Sequence, residues 1–183
     1  MPPVQLEAYK QEVSGKHSIA LVFTRHSLVQ HGEPLLQKDF IQEFIPHLKK
    51  NRMQVYLETN GIFYNELESL INDVDIVAMD IKLPSSTQCR SYWREHEEFL
   101  KIAKQKDVFI KAVVTSDTKE DDIKHCVDLV SRIDREIVFF LQPNHFEVKN
   151  GALQQCLLFQ DYCARYLKDV RILPQVHKFI KMR

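Results

Sequence analysis

The chain has 183 residues, 44% of them hydrophobic and 27% charged, which suits one globular domain with a full core. Lys plus Arg equals Asp plus Glu at 25 each, so no electrostatic footprint points to nucleic acid or to an acidic membrane surface. No apolar run is long enough to span a bilayer, and Met1-Pro2-Pro3-Val4-Gln5-Leu6-Glu7 lacks the basic-then-apolar order of a secretory leader, so a cytoplasmic protein is expected.

The spacing of Leu6, Tyr9 and Val13 predicts a helix over Val4–Val13. Ser18–Phe23 then reads as a buried strand. Lys38–Lys50 is predicted helical, with Phe40, Phe44, Ile45 and Leu48 facing inward. Gln54–Leu57 is a strand, Tyr64–Ile71 a short helix and Asp75–Ile81 a strand. Ser86–Lys104 is predicted as one long helix and Asp107–Val114 as a strand. Thr118 opens a helix to Ile133 with acids in its first turn, as the helix dipole prefers. Glu136–Leu141 is a strand, Ala152–Leu167 a helix and Val170–Leu173 a last strand. Continuous apolar strands separated by helices indicate an α/β fold, a parallel sheet covered by helices. No strand precedes the initial helix, so the chain reads as starting one strand late, a single domain over 1–183 truncated at its front.

Polar residues gather where strands end, and a parallel sheet collects such loops at one edge. Gly32-Glu33-Pro34 sets a residue that lets backbone approach a ligand beside a carboxylate able to accept from an ammonium group. Glu58-Thr59-Asn60-Gly61 is a second strand exit with turn chemistry. Asp80 and Lys82 alternate, so both point to one face. Gln142-Pro143 ends a strand, and Pro174-Gln175-Val176-His177-Lys178 follows the last one. Each of these signals also has a plain structural reading, as a capped turn or a surface ion pair.

Together and in this order, HGEPLLQ, ETNG, DIKLPSS, LQP and LPQVHK resemble the radical S-adenosylmethionine superfamily, in particular its 7-carboxy-7-deazaguanine synthase branch. That branch reads GGEPLLQ, ETNG, D-x-K-x-P-S and a terminal P-Q-x-H-K, and the resemblance runs from about Gly32 to the C-terminus. It implies a partial (β/α)6 barrel with S-adenosylmethionine across the strand ends, the first strand and cluster loop being missing here. Gly32 and Glu33 would hold the methionyl amino group. Glu58, Thr59 and Asn60 would line the next strand. Lys82, with Ser85, would meet a carboxylate, and Gln142 would sit near the adenosine. The implied reaction is reductive cleavage of the cofactor at a [4Fe-4S] cluster, followed by ring contraction of 6-carboxy-tetrahydropterin with Mg²⁺ on the substrate, a step toward 7-deazaguanines such as queuosine. The implied partner is thus a small pterin, not nucleic acid or membrane, and the family forms dimers.

Two departures bear on that expectation. The family holds its cluster through C-x-x-x-C-x-x-C after the first strand, whose three thiolates leave one iron open. The cysteines here are Cys89, Cys126, Cys156 and Cys163, all later in the chain. They are expected as free thiols, and Cys156 and Cys163, seven apart on a predicted helix, read as small core residues. The family's Mg²⁺-binding residue is also missing. In addition, the Arg25–His31 stretch departs from the family, with about six extra residues separating Thr24 from His31 and His31 replacing the first Gly; His26 and His31 lack a third residue that would make them a metal site. The expectations are therefore a cluster-deficient, inactive synthase-like chain, whether fragment or frame-slipped product, or a non-catalytic barrel remnant acting by binding. Activating enzymes for glycyl radicals, which share GGEP and D-x-K loops, form a third possibility that the terminal PQVHK disfavours.

Overall fold

The computed structural model describes residues 6–13 and 16–23 as backbone and 33–174 in full. Seven strands form one sheet in sequential order: β1 Leu6–Val13, β2 Lys16–Phe23, β3 Gln54–Thr59, β4 Ile76–Ile81, β5 Asp107–Val114, β6 Val138–Pro143 and β7 Val170–Ile172. From β2 to β7 every pairing is parallel, and helices return the chain between strands. These are α1 Lys38–Lys50, α2 Tyr64–Leu70, the short α3 Pro84–Thr87, α4 Trp93–Ala103, α5 Glu120–Ile133 and α6 Ala152–Cys163. Helices α2 and α4, α4 and α5, and α5 and α6 pack on one another in turn. Helices side by side over strands in chain order are the winding of a barrel left open, the expected partial barrel.

The predicted N-terminal helix is a strand. β1 pairs antiparallel with β2, from Leu6 opposite Phe23 to Val13 opposite Lys16. Only Ser14 and Gly15 separate the two runs, a spacing that signals a hairpin, and three apolar residues at helical intervals carried less information than that pair. A strand therefore does precede Ser18–Phe23, but it runs against the parallel series.

The core is the helix side of the sheet. Val55, Leu57, Val77, Met79, Ile110, Ala112, Phe139 and Leu141 meet Leu67, Phe99, Leu100, Ile123, Val127 and Cys156 with almost no exposure. In α1 the inward residues are Ile41, Ile45 and Leu48. Phe40, predicted inward, is exposed and stacks on Phe44 with centroids 5.7 Å apart. The predicted 86–104 helix is broken. Gln88 takes a left-handed conformation (φ 56°) at the end of α3, and α4 begins only at Trp93. Side chains compete with helix continuation there: Thr87 donates to the Leu83 carbonyl, while Ser85 bonds to Asp122 on α5 and Ser86 to Thr118 just before it. Nor does Thr118 cap α5, which starts at Glu120; its hydroxyl accepts the Thr115 N–H at 2.8 Å.

Candidate functional site at the strand ends

Alternation along the strands sorts side chains between two faces. Val55, Leu57 and Thr59 are buried toward the helices, so Tyr56 and Glu58 stand on the open face. On β4 Asp80 stands there too, on β5 Phe109 and Lys111, and on β6 Phe140 and Gln142. Register sets Asp80 beside Lys111 and Lys111 beside Phe140. One level lower, Ala78 lies between Glu58 and Phe109. That small residue lets side chains meet over β4: Lys111 pairs with Glu58, and the Tyr56 ring lies 6.0 Å from Phe109, which lies 5.6 Å from Phe140. Burial and the Glu58 charge push the Tyr56 phenol well above its ordinary pKa. Toward the strand ends the Lys82 ammonium sits 2.5 Å from Asp80 Oδ2. Asp80 Oδ1 is buried and accepts no hydrogen bond among the described residues.

A second cluster forms around Glu33, which caps a 3₁₀ turn over Pro34–Gln37. Its Oε1 accepts the Leu35 N–H at 3.2 Å and the Thr59 hydroxyl at 2.7 Å, and its Oε2 accepts the Asn60 N–H at 2.7 Å. Burial raises the Glu33 pKa, against those hydrogen bonds and the nearby Lys82 charge, which favour the carboxylate. A carboxylate offers roughly four acceptor positions, so among the described residues one at Oε2 is left over. Asn60 is used locally, its Oδ1 accepting the Ile62 N–H at 3.0 Å.

His96 joins the two clusters and was not legible as a site residue in the sequence. It lies on α4 with no exposure. Nδ1 is 2.9 Å from the Gly61 carbonyl oxygen, so it carries the proton and donates, and Nε2 accepts the Lys82 N–H at 3.2 Å. Burial holds its pKa down at about 4, the Gly61 contact and Asp80 and Glu95 opposing this and Lys82 assisting. A histidine with a depressed folded pKa gives stability that is full above the unfolded value near 6.5 and is lost as pH falls through the folded one. The loss between pH 6.5 and 4 should approach about 3 kcal/mol for His96. Glu33, with its raised pKa, contributes the opposite slope. Denaturant titrations of wild type and H96Q across this window should therefore differ by a slope of that sign, and parallel curves would show that His96 does not titrate as described.

Ser85 is bound within the protein. Its N–H and hydroxyl donate to Asp122 Oδ2 at 2.8 and 2.5 Å, and Oγ accepts the Lys119 N–H at 2.9 Å. The next exit loops are tied likewise, the Ser116 N–H and hydroxyl both donating to Glu147 Oε2 at 2.8 Å. Of the residues singled out from sequence, the structure thus gathers Glu33, Thr59 and Asn60 in one cluster. Glu58, Lys82 and Gln142 stand on or beside the open face, and Ser85 is committed to Asp122. Gly32, His26, His31 and Gln175–Lys178 lie outside the described residues. Lys111, central to the open face, was missed; a lone Lys in an apolar strand, Phe109-Ile110-Lys111-Ala112, was the signal available.

The cysteines do not converge into a ligand set. Cys89 is exposed on the loop after α3, while Cys126, Cys156 and Cys163 are free and buried on α5 and α6. Burial pushes the Cys156 and Cys163 thiols up to about 12, as expected of inert core residues.

Comparison with known proteins adds kinship to this geometry. The chain is 38% identical over 151 residues to a 7-carboxy-7-deazaguanine synthase of Geobacter sulfurreducens, covering 81% of this chain and 60% of that protein. A protein of the same name from Methanocaldococcus jannaschii is 29% identical, over 82% of this chain and 65% of its own length. A pyruvate formate-lyase-activating enzyme of Staphylococcus aureus is 27% identical over 64% of this chain and 53% of its own. The chain spans about three fifths of the length of these curated relatives. Among solved structures, a domain of pyruvate-formate lyase-activating enzyme from Bacteroides vulgatus superposes with a TM-score of 0.61 at 15% identity, over 79% of this chain and 96% of that one, and so shares the fold. No family model matches.

Proposed function

We propose, from its likeness to 7-carboxy-7-deazaguanine synthases, that the chain is a radical S-adenosylmethionine superfamily protein of that branch and that its strand ends bind S-adenosylmethionine. The observation that carries this reading is the row of alternating charge on the open face, Glu58–Lys111 and Asp80–Lys82, with Asp80 Oδ1 buried and unpartnered among the described residues. A buried acceptor without a donor is costly unless a ligand supplies one, and this cofactor brings an ammonium group and ribose hydroxyls. Its carboxylate matches the lysines. Glu33 has one acceptor position left for the ammonium, and Gln142, further along the same face, suits the adenosine.

When bound beside a [4Fe-4S] cluster, S-adenosylmethionine supplies radical chemistry. The cysteines of this chain do not fit such a cluster: three are core residues on helices and Cys89 stands apart from them. Among the described residues no three His, Cys, Asp or Glu side chains are grouped to hold a metal ion, so no Mg²⁺ position is assigned. By kinship, the substrate would be a pterin undergoing ring contraction. The likeness to the Geobacter sulfurreducens synthase, 38% identity against 27% for the activating enzyme of Staphylococcus aureus, supports that choice.

Calorimetric titration of the purified chain with S-adenosylmethionine tests the binding reading. Wild type should bind, and Lys111→Ala should weaken affinity by about tenfold or more, the cost of losing a charged hydrogen bond to the ligand carboxylate. A wild-type chain that takes up none, or a variant with unchanged affinity, would sink the assignment.

A further inference from the structure

Two exit loops that belong to different strands meet at one side chain of α4, the helix of the β4–β5 crossover. The β3 exit carries Gly61 and the β4 exit carries Lys82, and the imidazole of His96 on α4 bonds to the backbone of both. The bonds have opposite sense. Nδ1–H donates to the Gly61 carbonyl at 2.9 Å, and Nε2 accepts the Lys82 N–H at 3.2 Å, so only the neutral ring with its proton on Nδ1 can make both. The ring has no freedom to choose otherwise. It has no exposure, Tyr92 and Trp93 stand edge-on at 6.3 and 6.4 Å, and a Cβ at Gly61 would meet both Met79 and His96 Nδ1. The Lys82 ammonium then reaches Asp80 at 2.5 Å, and the loop entered through Asn60 is held on Glu33 at 2.7 Å. Lys82 and the Glu33–Asn60 cluster are thus linked through His96 as well as through the sheet.

We propose that His96 is a positioning residue of the strand-end site: as a neutral Nδ1–H imidazole it fixes the Gly61 and Lys82 backbones against each other and so sets the spacing of Lys82 from the Glu33–Asn60 cluster for the ligand. The assignment of that ligand as S-adenosylmethionine rests on the preceding reading; the clamp does not. Residues that touch the ligand are a separate set, because the ring is enclosed.

Three proteins test it: wild type, H96L, which fills space without polar atoms, and H96Q, whose side-chain amide presents one donor and one acceptor as the ring does. Amide hydrogen exchange at Lys82, referenced to Ile110 in the central strand, reads the clamp. H96L should speed exchange at Lys82 by about tenfold or more, the worth of one hydrogen bond, and H96Q should restore it. Calorimetric affinity for S-adenosylmethionine should follow the same order, about tenfold weaker in H96L and recovered in H96Q. Loosened Lys82 with unchanged affinity overturns the positioning role. A wild type that does not bind overturns the ligand reading alone, and Lys82 exchange equally slow in wild type and H96L then overturns the clamp. If H96L does not fold, the nitrogen shifts of the wild-type ring decide. With Asp80, Glu95 and Lys82 as its charged neighbours, it should show a protonated Nδ1 and a bare Nε2 at pH 7, and the reverse tautomer overturns the proposal.

Discussion

Glu33→Ala should destabilise the fold by about 2–4 kcal/mol, measured by urea denaturation at pH 7. Three donors lose their acceptor at once: the Leu35 N–H, the Thr59 hydroxyl and the Asn60 N–H. Thr59 is almost fully buried and cannot turn to water. Against this stands the relief of burying a carboxylate, which is real because burial is what raises its pKa. The donors win, since each bond to a charged acceptor contributes about 1.5–3 kcal/mol and two of the three here are short. Glu33→Gln keeps the volume but turns an NH₂ toward a donor, so it should cost about 1–2 kcal/mol. A change below about 0.5 kcal/mol in the alanine variant would show that the carboxylate does not hold these loops. Ligand affinity alone could not separate this role from direct contact, because the residue that would meet an ammonium group also shapes the loop next to it.

That double use explains what the sequence could and could not reveal. Runs of apolar residues placed β4, β5 and α1 within a residue of their observed limits, because their periodicity is set by burial against one core. Glu33, Thr59 and Asn60 were recognisable because strand exits carry function and turn chemistry in the same few residues. His96 was not. It occupies the inward side of α4 with Phe99, Leu100 and Ala103, where a lone histidine looks like core, and its meaning lies in two backbone groups 35 and 14 residues away. Lys111 was hidden in the same way: its partner Glu58 lies two strands away, across Ala78. Ser85 looked like a ligand residue, but its hydroxyl is committed to Asp122, 37 residues on. The β1–β2 hairpin was missed for the opposite reason, a local signal in Ser14-Gly15 outvoted by a coincidental helical spacing.

Gly61→Ala should be costlier than a glycine substitution usually is, and a second glycine provides the control. Gly61 has φ +70°, and a Cβ there would stand 2.7 Å from Met79 Cε, 2.8 Å from Met79 Cγ and 3.2 Å from His96 Nδ1. Cε could swing away, but Cγ is close to the β4 backbone, and Met79 is wholly enclosed by core. His96 cannot retreat without stretching its bonds to Gly61 and Lys82. Gly151 has φ +106° with nothing within 4 Å, so Gly151→Ala meets only the backbone cost of a left-handed L-residue, about 1–2 kcal/mol. Gly61→Ala adds overpacking of about 1–3 kcal/mol and should lose about 2–5 kcal/mol in all. The difference between the variants therefore measures the rigidity of the Met79–His96 wall. Equal losses would mean that the wall yields freely, in which case the β3 exit is not held against α4. A larger loss at Gly61, with faster exchange of the Lys82 amide, would mean that a methyl group on one exit loop is felt on the next, through His96.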